Sequence, residues 1–170
     1  MARVLFILGL AFCCQSFAHH QQPVSETAVN GSVPPCMAGK QELPIDDQEV
    51  LGWKTSTKNQ FLARAHVEGT LTKVYADETG HAHFEIELGS GSNDGLEVIY
   101  NLSFGALPQL HEGMHVEACG DYITSNAPAG GYQASPDGAI IHWIHKSNDA
   151  SHDSGFLAID GVVYGEGNGY

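Results

Sequence analysis

Three of the ten histidines fall in one short stretch, Gly138 to His152, which also carries Trp143. Neutral imidazole is the commonest metal ligand in proteins, and three imidazoles can hold a zinc ion with one position left for water. His142, His145 and His152 have the short-then-longer spacing of such a ligand set. This stretch is therefore the first candidate site, and a divalent transition metal such as zinc is its expected cofactor.

Other residues extend the candidate set. His81 lies on an earlier predicted strand and completes the group if the two strands meet at one rim of the fold. His152 has a second candidate role, as a general base. Ligating histidines usually donate their other N–H to an oxygen acceptor, so three further residues are candidates for orienting the imidazoles. These are Asn101, Asp149 and Asp153.

The spacing of His142 and His145 conflicts with a shared site on one face of a strand. His142 and His145 are three residues apart, so in a regular strand their side chains point to opposite faces. They converge only if the strand ends near Trp143 and the chain turns. In the simpler interpretation, His142 hydrogen-bonds at the rim, the other histidines are solvated and Trp143 fills the core.

The elements that position these residues are predicted to be short strands. Apolar and polar residues alternate from Ala63 to Tyr75 and from Ala82 to Leu88, which is typical of half-buried strands. A short helix is predicted to start at Asp46, which can cap it, and to end near Thr57. Further strands are predicted over 96–102, 114–122 and 139–144, with a hairpin over 156–164 around Asp160-Gly161.

Five strands, a glycine (Gly69) that bends the first of them, and a hairpin predict an all-β fold with one short N-terminal helix. The expected architecture is a small five-stranded barrel of the oligonucleotide/oligosaccharide-binding (OB) type, and a β-sandwich is the alternative. The name of a fold carries no function by itself. The predicted organisation is a signal peptide (1–18), an extended or disordered arm (19–44), one barrel domain (45–165) and a frayed tail (166–170).

The amino terminus predicts export, to the periplasm or the medium. Arg3 precedes an apolar run, and Ser16-Phe17-Ala18 is a small-x-small cleavage site, so the mature chain would be 19–170. The apolar run is shorter than the roughly 20 residues that span a bilayer, and no other segment approaches that length. We therefore expect no membrane span.

The charge balance limits the classes of partner that the protein is expected to bind. Without Arg3, six Lys and Arg stand against twenty Asp and Glu, a net charge of −14 with neutral histidines. Six scattered cations cannot build a basic patch, so general nucleic-acid binding is not expected. A small ligand or a protein partner stays open, and the acidic surface alone is typical of an ordinary solvated face.

Cys36 and Cys119 are the two cysteines of the mature chain, because Cys13 and Cys14 leave with the signal peptide. Two cysteines in an exported protein usually pair. The alternation over 114–122 places Cys119 on the outer face of its strand, where the arm can bring Cys36. Reactive or metal-binding thiols are the alternative.

Several segments resemble one family. They are His81 to Phe84, Asn101, Gly113 to Tyr122, and above all Gly138 to His145 with His152 and Gly155. Over about residues 45–165 the chain is similar to the family known as domain of unknown function 3465. The resemblance implies a small exported bacterial protein with a compact β-rich domain, and it implies no established activity. In that family a second histidine commonly follows the position of His145, where this chain has Lys146.

Two hypotheses about function follow. The first is a ligand-, metal- or partner-binding module with a histidine-rich rim, since the chain shows neither a nucleophile elbow nor a phosphate-binding loop. The second is a metal-dependent hydrolase of phosphodiester or ester bonds, with His81, His142 and His145 as ligands and His152 as ligand or base. A glycosidase pair is not supported, because Glu85 and Glu87 have no acidic partner at a known distance.

Overall fold

The computed structural model describes residues 32–148, 152–167 and 169. These residues form one short α-helix, one 3₁₀ turn (Leu102–Phe104) and nine strands. The helix is α1 (Asp47–Ser56), and the strands are β1 (Met37–Ala38), β2 (Gln41–Glu42), β3 (Leu62–Val74), β4 (His81–Glu87), β5 (Gly95–Asn101), β6 (His115–Thr124), β7 (Ala139–His142), β8 (Phe156–Ile159) and β9 (Val162–Tyr164). No helix in this part of the chain is long and apolar enough to cross a membrane. The predicted signal peptide lies outside it.

Five strands close into a barrel in the order β3-β4-β5-β7-β6, and β6 pairs back onto β3 from Leu62 opposite Ile123 to Thr70 opposite His115. Neighbouring strands are antiparallel except β5 and β7, which run parallel. This is the strand order of the OB barrel. The hairpin of β8 and β9 extends the sheet from β6. The predicted all-β fold, with one helix and a C-terminal hairpin, is confirmed.

Side-chain alternation places the core where the sequence predicted it. On β4, Ala82, Phe84 and Ile86 are buried, while the intervening residues lie on the outer face. On β6, Tyr122 belongs to the main core and Cys119 faces outward into a separate apolar cluster. Because successive side chains point to opposite faces of a strand, these assignments follow from residue parity alone.

Gly69 lies where β3 changes partners. Its first residues pair with β6 and its last residues pair with β4, with a register shift between Leu71 and Lys73. A Cβ atom at Gly69 would lie 2.6 Å from the carbonyl oxygen of Glu87. Glycine at this position therefore lets the end of β4 approach closely, and the irregularity in the ladder follows just after it.

A disulfide between Cys36 and Cys119 fastens the arm to the barrel, as predicted. Both residues are fully buried, in a cluster with Phe156, Ala158 and Val163. The arm covers the outer face of β6 and β8 through this cluster. Within it, β1 and β2 form a short antiparallel ladder that the apolar pattern did not predict.

The predicted cap of α1 is present, and we expect its removal to weaken the fold modestly. Asp46 accepts a hydrogen bond from the backbone N–H of Glu49 at 2.9 Å. In Asp46→Ala that N–H loses its partner, so the free energy of unfolding should fall by about 1 kcal/mol in urea denaturation. Asp77→Ala, at an exposed loop position, should change it by less than about 0.5 kcal/mol. Equal losses in the two variants would contradict a capping role.

Candidate functional site

The chain turns at Trp143, directly after the strand that carries His142. Strand β7 ends at His142, and Trp143 has a φ of +56°. Residues other than glycine rarely adopt this left-handed region. The turn removes the parity conflict noted above, because His145 no longer continues the strand. Strain of this kind clusters at functional sites, which directs attention to the side chains around the turn.

Three glycines approach three consecutive carbonyl oxygens of this turn. A Cβ atom at any of them would lie under 3.0 Å from the oxygen that it faces. The pairs are Gly120 with His142, Gly155 with Trp143, and Gly165 with Ile144. Hydrogen bonds from Gly155 to the His145 carbonyl (2.8 Å) and from Lys146 to the Gly165 carbonyl (2.7 Å) close the arrangement. The backbone of the turn is thus held by contacts that larger residues would prevent.

The four predicted ligands come together around this turn as two pairs. The ring centroids of His81 and His142 are 5.6 Å apart, and those of His145 and His152 are 5.2 Å apart. Two imidazoles on one tetrahedral zinc have centroids about 5 Å apart, given zinc–nitrogen bonds of about 2.0–2.1 Å. Trp143 lies between the pairs, 4.9 Å from His142 and 4.7 Å from His152 between centroids. We call these four histidines the histidine rim.

The rim is not a complete metal centre as it stands. Within the described ranges, no group of three or more His, Cys, Asp or Glu side chains is arranged to hold a metal ion. Each imidazole pair therefore offers two nitrogens at most without rearrangement. A metal ion there would take its remaining ligands from water or from a rotated side chain.

Burial keeps the inner imidazoles of the rim uncharged at neutral pH. Desolvation, reinforced by the surrounding imidazoles, lowers the pKa of His142 to about 4. The pKa of His145 is also lowered, mainly by burial. His145 stacks on Phe104, with centroids 3.6 Å apart, which accounts for its low exposure. Both groups are therefore in the neutral form that binds metal ions.

Backbone carbonyls orient three of the four rim imidazoles. Nδ1 of His145 lies 2.9 Å from the carbonyl oxygen of Lys146, and Nδ1 of His152 lies 2.8 Å from that of Asp153. Nδ1 of His81 lies 3.1 Å from the carbonyl of Thr79. A carbonyl can only accept, so in the neutral ring each Nδ1 carries the proton and Nε2 keeps its lone pair. The lone pair at Nε2 is the one available to a ligand.

The residues predicted to orient the imidazoles make other contacts. Asn101 accepts a hydrogen bond from the backbone N–H of Ser103 at 2.9 Å and caps a short 3₁₀ turn. Asp153 accepts one from the N–H of Gly39 at 2.7 Å, which ties the arm to the loop that carries His152. Asp149 lies outside the described residues.

Trp143 is not the core plug that the sequence suggested. Its side chain is 40% exposed, whereas Ile144 is fully buried in the main core. The left-handed turn points Trp143 outward and Ile144 into the core, the reverse of what the sequence suggested. The indole therefore forms the exposed surface of the rim.

Glu85 has an acidic neighbour, Asp137, that the sequence pattern did not predict. Asp137 lies near the end of the loop between β6 and β7, and its carboxyl group shares the hydroxyl of Tyr75 with that of Glu85. The hydroxyl of Tyr75 lies 2.9 Å from Asp137 and 3.2 Å from Glu85. The OB topology was the available signal, because it brings the β3–β4 and β6–β7 loops beside the strand that carries Glu85.

The strand order and the parallel pairing of β5 with β7 define an OB-type barrel, and the outer face of β4 is polar. The chain belongs to the family described as "Protein of unknown function (DUF3465)", which matches residues 39–165. The family predicted from the sequence is thereby confirmed, and its description assigns no activity. No curated protein and no solved structure matches the chain.

Proposed function

We propose that the protein is an exported binding module whose histidine rim takes up a divalent transition metal ion such as zinc. The observation that carries the proposal is the gathering of His81, His142, His145 and His152 into two pairs at ligating separation. The buried disulfide supports export, because such bonds persist in oxidising compartments.

The chemistry of the rim favours a metal ion over an anion. An anion would need charged imidazoles, and burial holds His142 and His145 in the neutral form. Among the described residues, the ion pairs that histidines form involve His66, His83 and His115, none of which belongs to the rim. In their neutral forms, the imidazoles of His81, His145 and His152 thus keep the Nε2 lone pair for a Lewis acid.

The pairwise arrangement favours reversible binding over catalysis. A hydrolytic zinc site uses three protein ligands on one ion and leaves a fourth position for activated water. Two imidazoles per ion leave half of a tetrahedral coordination shell to solvent beside the exposed Trp143. Such a site suits uptake and release of an ion. The metal-dependent hydrolase stays a prediction, and no contact among the described residues specifically favours it.

Zinc titration of untagged mature protein tests the proposal. The background carries His19→Ala/His20→Ala, so that an amino-terminal histidine pair does not contribute. We expect zinc uptake by calorimetry, and a loss of at least about tenfold in affinity in His142→Ala/His145→Ala, since each substitution removes one ligand of a pair.

His111→Ala is the matched control. Its Nδ1 makes the same kind of local contact, 3.0 Å from the carbonyl oxygen of Glu112, at an exposed position outside the rim. This variant should bind zinc as the background protein does. Absence of zinc uptake by the background protein, or unchanged uptake by folded His142→Ala/His145→Ala, would overturn the proposal. Circular dichroism of each variant separates loss of ligands from loss of fold.

A further inference from the structure

Two carboxyl groups converge on a single hydroxyl at the far end of the polar face. Both oxygens of Asp137 lie within hydrogen-bond distance of the Tyr75 hydroxyl, at 2.9 and 3.0 Å, and Glu85 lies 3.2 Å from it. Thr72 donates a hydrogen bond to the other oxygen of Glu85. Tyr75 has one proton to donate, so it can satisfy only one of these carboxylate oxygens at a time. The geometry therefore gives the pair more acceptors than donors, and a proton held by either carboxyl group would reduce that excess.

The charges around the pair do not replace that proton. From β5, Glu97 lies opposite Glu85 in the ladder and adds negative charge near Asp137, although it is itself paired with His83 at 2.8 Å. From α1, the ammonium group of Lys54 donates to the carbonyl oxygens of Asn93 and Gly95, both at 2.6 Å. From β3, Lys73 acts on Glu85 at longer range and lies over the ring of Tyr75. No cation among these groups is hydrogen-bonded to the pair.

Asp137 also joins its loop to the barrel, because it accepts from the Tyr75 hydroxyl, which in turn lies within hydrogen-bond distance of Glu85 on β4. The base of the loop is closed by its own hydrogen bonds, between Ser125 and Ser135 and between Ser135 and Gly138. Beyond the base, Ala127 is bonded to the side chain of Asn59. The loop tip carries the exposed Tyr132. Pro136 and Asp137 form one wall of a cleft of about 160 Å³ whose other walls include Glu87 and Lys54.

We propose that the loop over residues 125–138 is a pH-sensitive strap, held on the outer face of β4 by a proton shared between Asp137 and Glu85. Loss of the proton leaves two carboxylates in contact, and their repulsion lifts the strap. The cleft beside Glu87 and Lys54 then opens toward the face that continues through His83 to the histidine rim. The strap is independent of whether the rim binds a metal ion.

The direction of the pH response follows from the groups involved. Burial, reinforced by the contact with Glu85, raises the pKa of Asp137 to about 7, whereas the pKa of Glu85 is lowered. An unfolded aspartate has a pKa of about 3.9. Between about pH 4 and pH 7, Asp137 therefore keeps its proton in the folded strap and has lost it in the unfolded chain. The stabilising effect of Asp137 is therefore complete below about pH 4 and is lost as the pH rises through about 7.

Hydrogen exchange of the full mature chain tests the strap. Protection of the amides in residues 125–138, corrected for intrinsic exchange, is compared at pH 5.5 and pH 8.5. We expect protection to fall at least about tenfold at the higher pH, since one unit of pKa shift corresponds to a tenfold change in the equilibrium. In Asp137→Asn the amide can donate to Glu85 at every pH, so the strap should stay protected at both values.

Glu87→Gln is the control, because Glu87 lines the same cleft on the same strand face but is outside the pair. It should keep the pH response of the native chain. Glu85→Gln offers a second route, since its amide can donate to an ionised Asp137, and it should abolish the response as Asp137→Asn does. Equal protection at the two pH values in the native chain, or an undiminished response in both amide variants, would overturn the proposal.

Discussion

Gly155→Ala is expected to lower the free energy of unfolding by at least about 3 kcal/mol, at the upper end of the cost of overpacking. The added methyl group would lie under 3.0 Å from the carbonyl oxygens of Cys119 and Trp143 and 3.1 Å from Cα of Ile144. All three contacts are with backbone, so no side chain can rotate away. The φ of Gly155 does not lie in the left-handed region, so the loss of stability comes from steric overlap and not from backbone strain. Urea denaturation followed by circular dichroism measures it.

Gly52→Ala is the matched control, because Gly52 lies in α1 and no atom lies within 4 Å of an added Cβ atom. Alanine is favoured over glycine in a helix interior by about 1 kcal/mol, so this variant should be more stable than the native chain. The same chemical change should thus have opposite signs at the two positions. A loss below about 1 kcal/mol in Gly155→Ala would contradict the close packing of the turn.

Local patterns were sufficient to predict the barrel strands, the C-terminal hairpin and the helix, but not the ladder of β1 and β2 in the arm. The alternation on β4 and β6 identified the buried side chains, because residue parity is unchanged by whichever strand lies alongside. The start of α1 could likewise be predicted from the sequence, because the Asp46–Glu49 hydrogen bond spans only three residues. The end of β7 could not be predicted from the sequence. Alternation continues to Ile144, whereas the turn at Trp143 depends on glycines far away in sequence.

At the candidate site too, residue types could be predicted from local sequence, whereas contacts that depend on the fold could not. The four rim histidines were identifiable by residue type, and their pairing depends on barrel closure, which brings β4 and β7 to either side of β5. The exposure of Trp143 could not be predicted, since a large apolar residue is ordinarily buried and a left-handed φ has no signature in a tryptophan. Asp137 was missed for a related reason: a loop carboxylate has no period, and only the fold supplies its partner.

Removal of the Cys36–Cys119 disulfide is expected to lower the free energy of unfolding by about 4–5 kcal/mol. The bridge joins residues 83 apart, and the chain-entropy argument gives a loop of that length a stabilisation of this size. The effect should extend to the rim, because the arm is bonded to the loop that carries His152 through Gly39 and Asp153. Arg64 adds a second tie, since its guanidinium donates to the carbonyls of Met37 and Ser154.

Cys36→Ala/Cys119→Ala, measured by urea denaturation with and without reductant, checks this prediction. The variant should be insensitive to reductant, and the native chain in reductant should fall to the stability of the variant. Hydrogen exchange of residues 152–155 should increase in the variant while the amides of β4, on the opposite side of β3, keep their protection relative to global unfolding. Two free thiols in the native chain without reductant, or an unchanged urea midpoint in the variant, would contradict the role of the bridge. An altered midpoint with unchanged exchange at 152–155 would confine that role to global stability and exclude the coupling to His152.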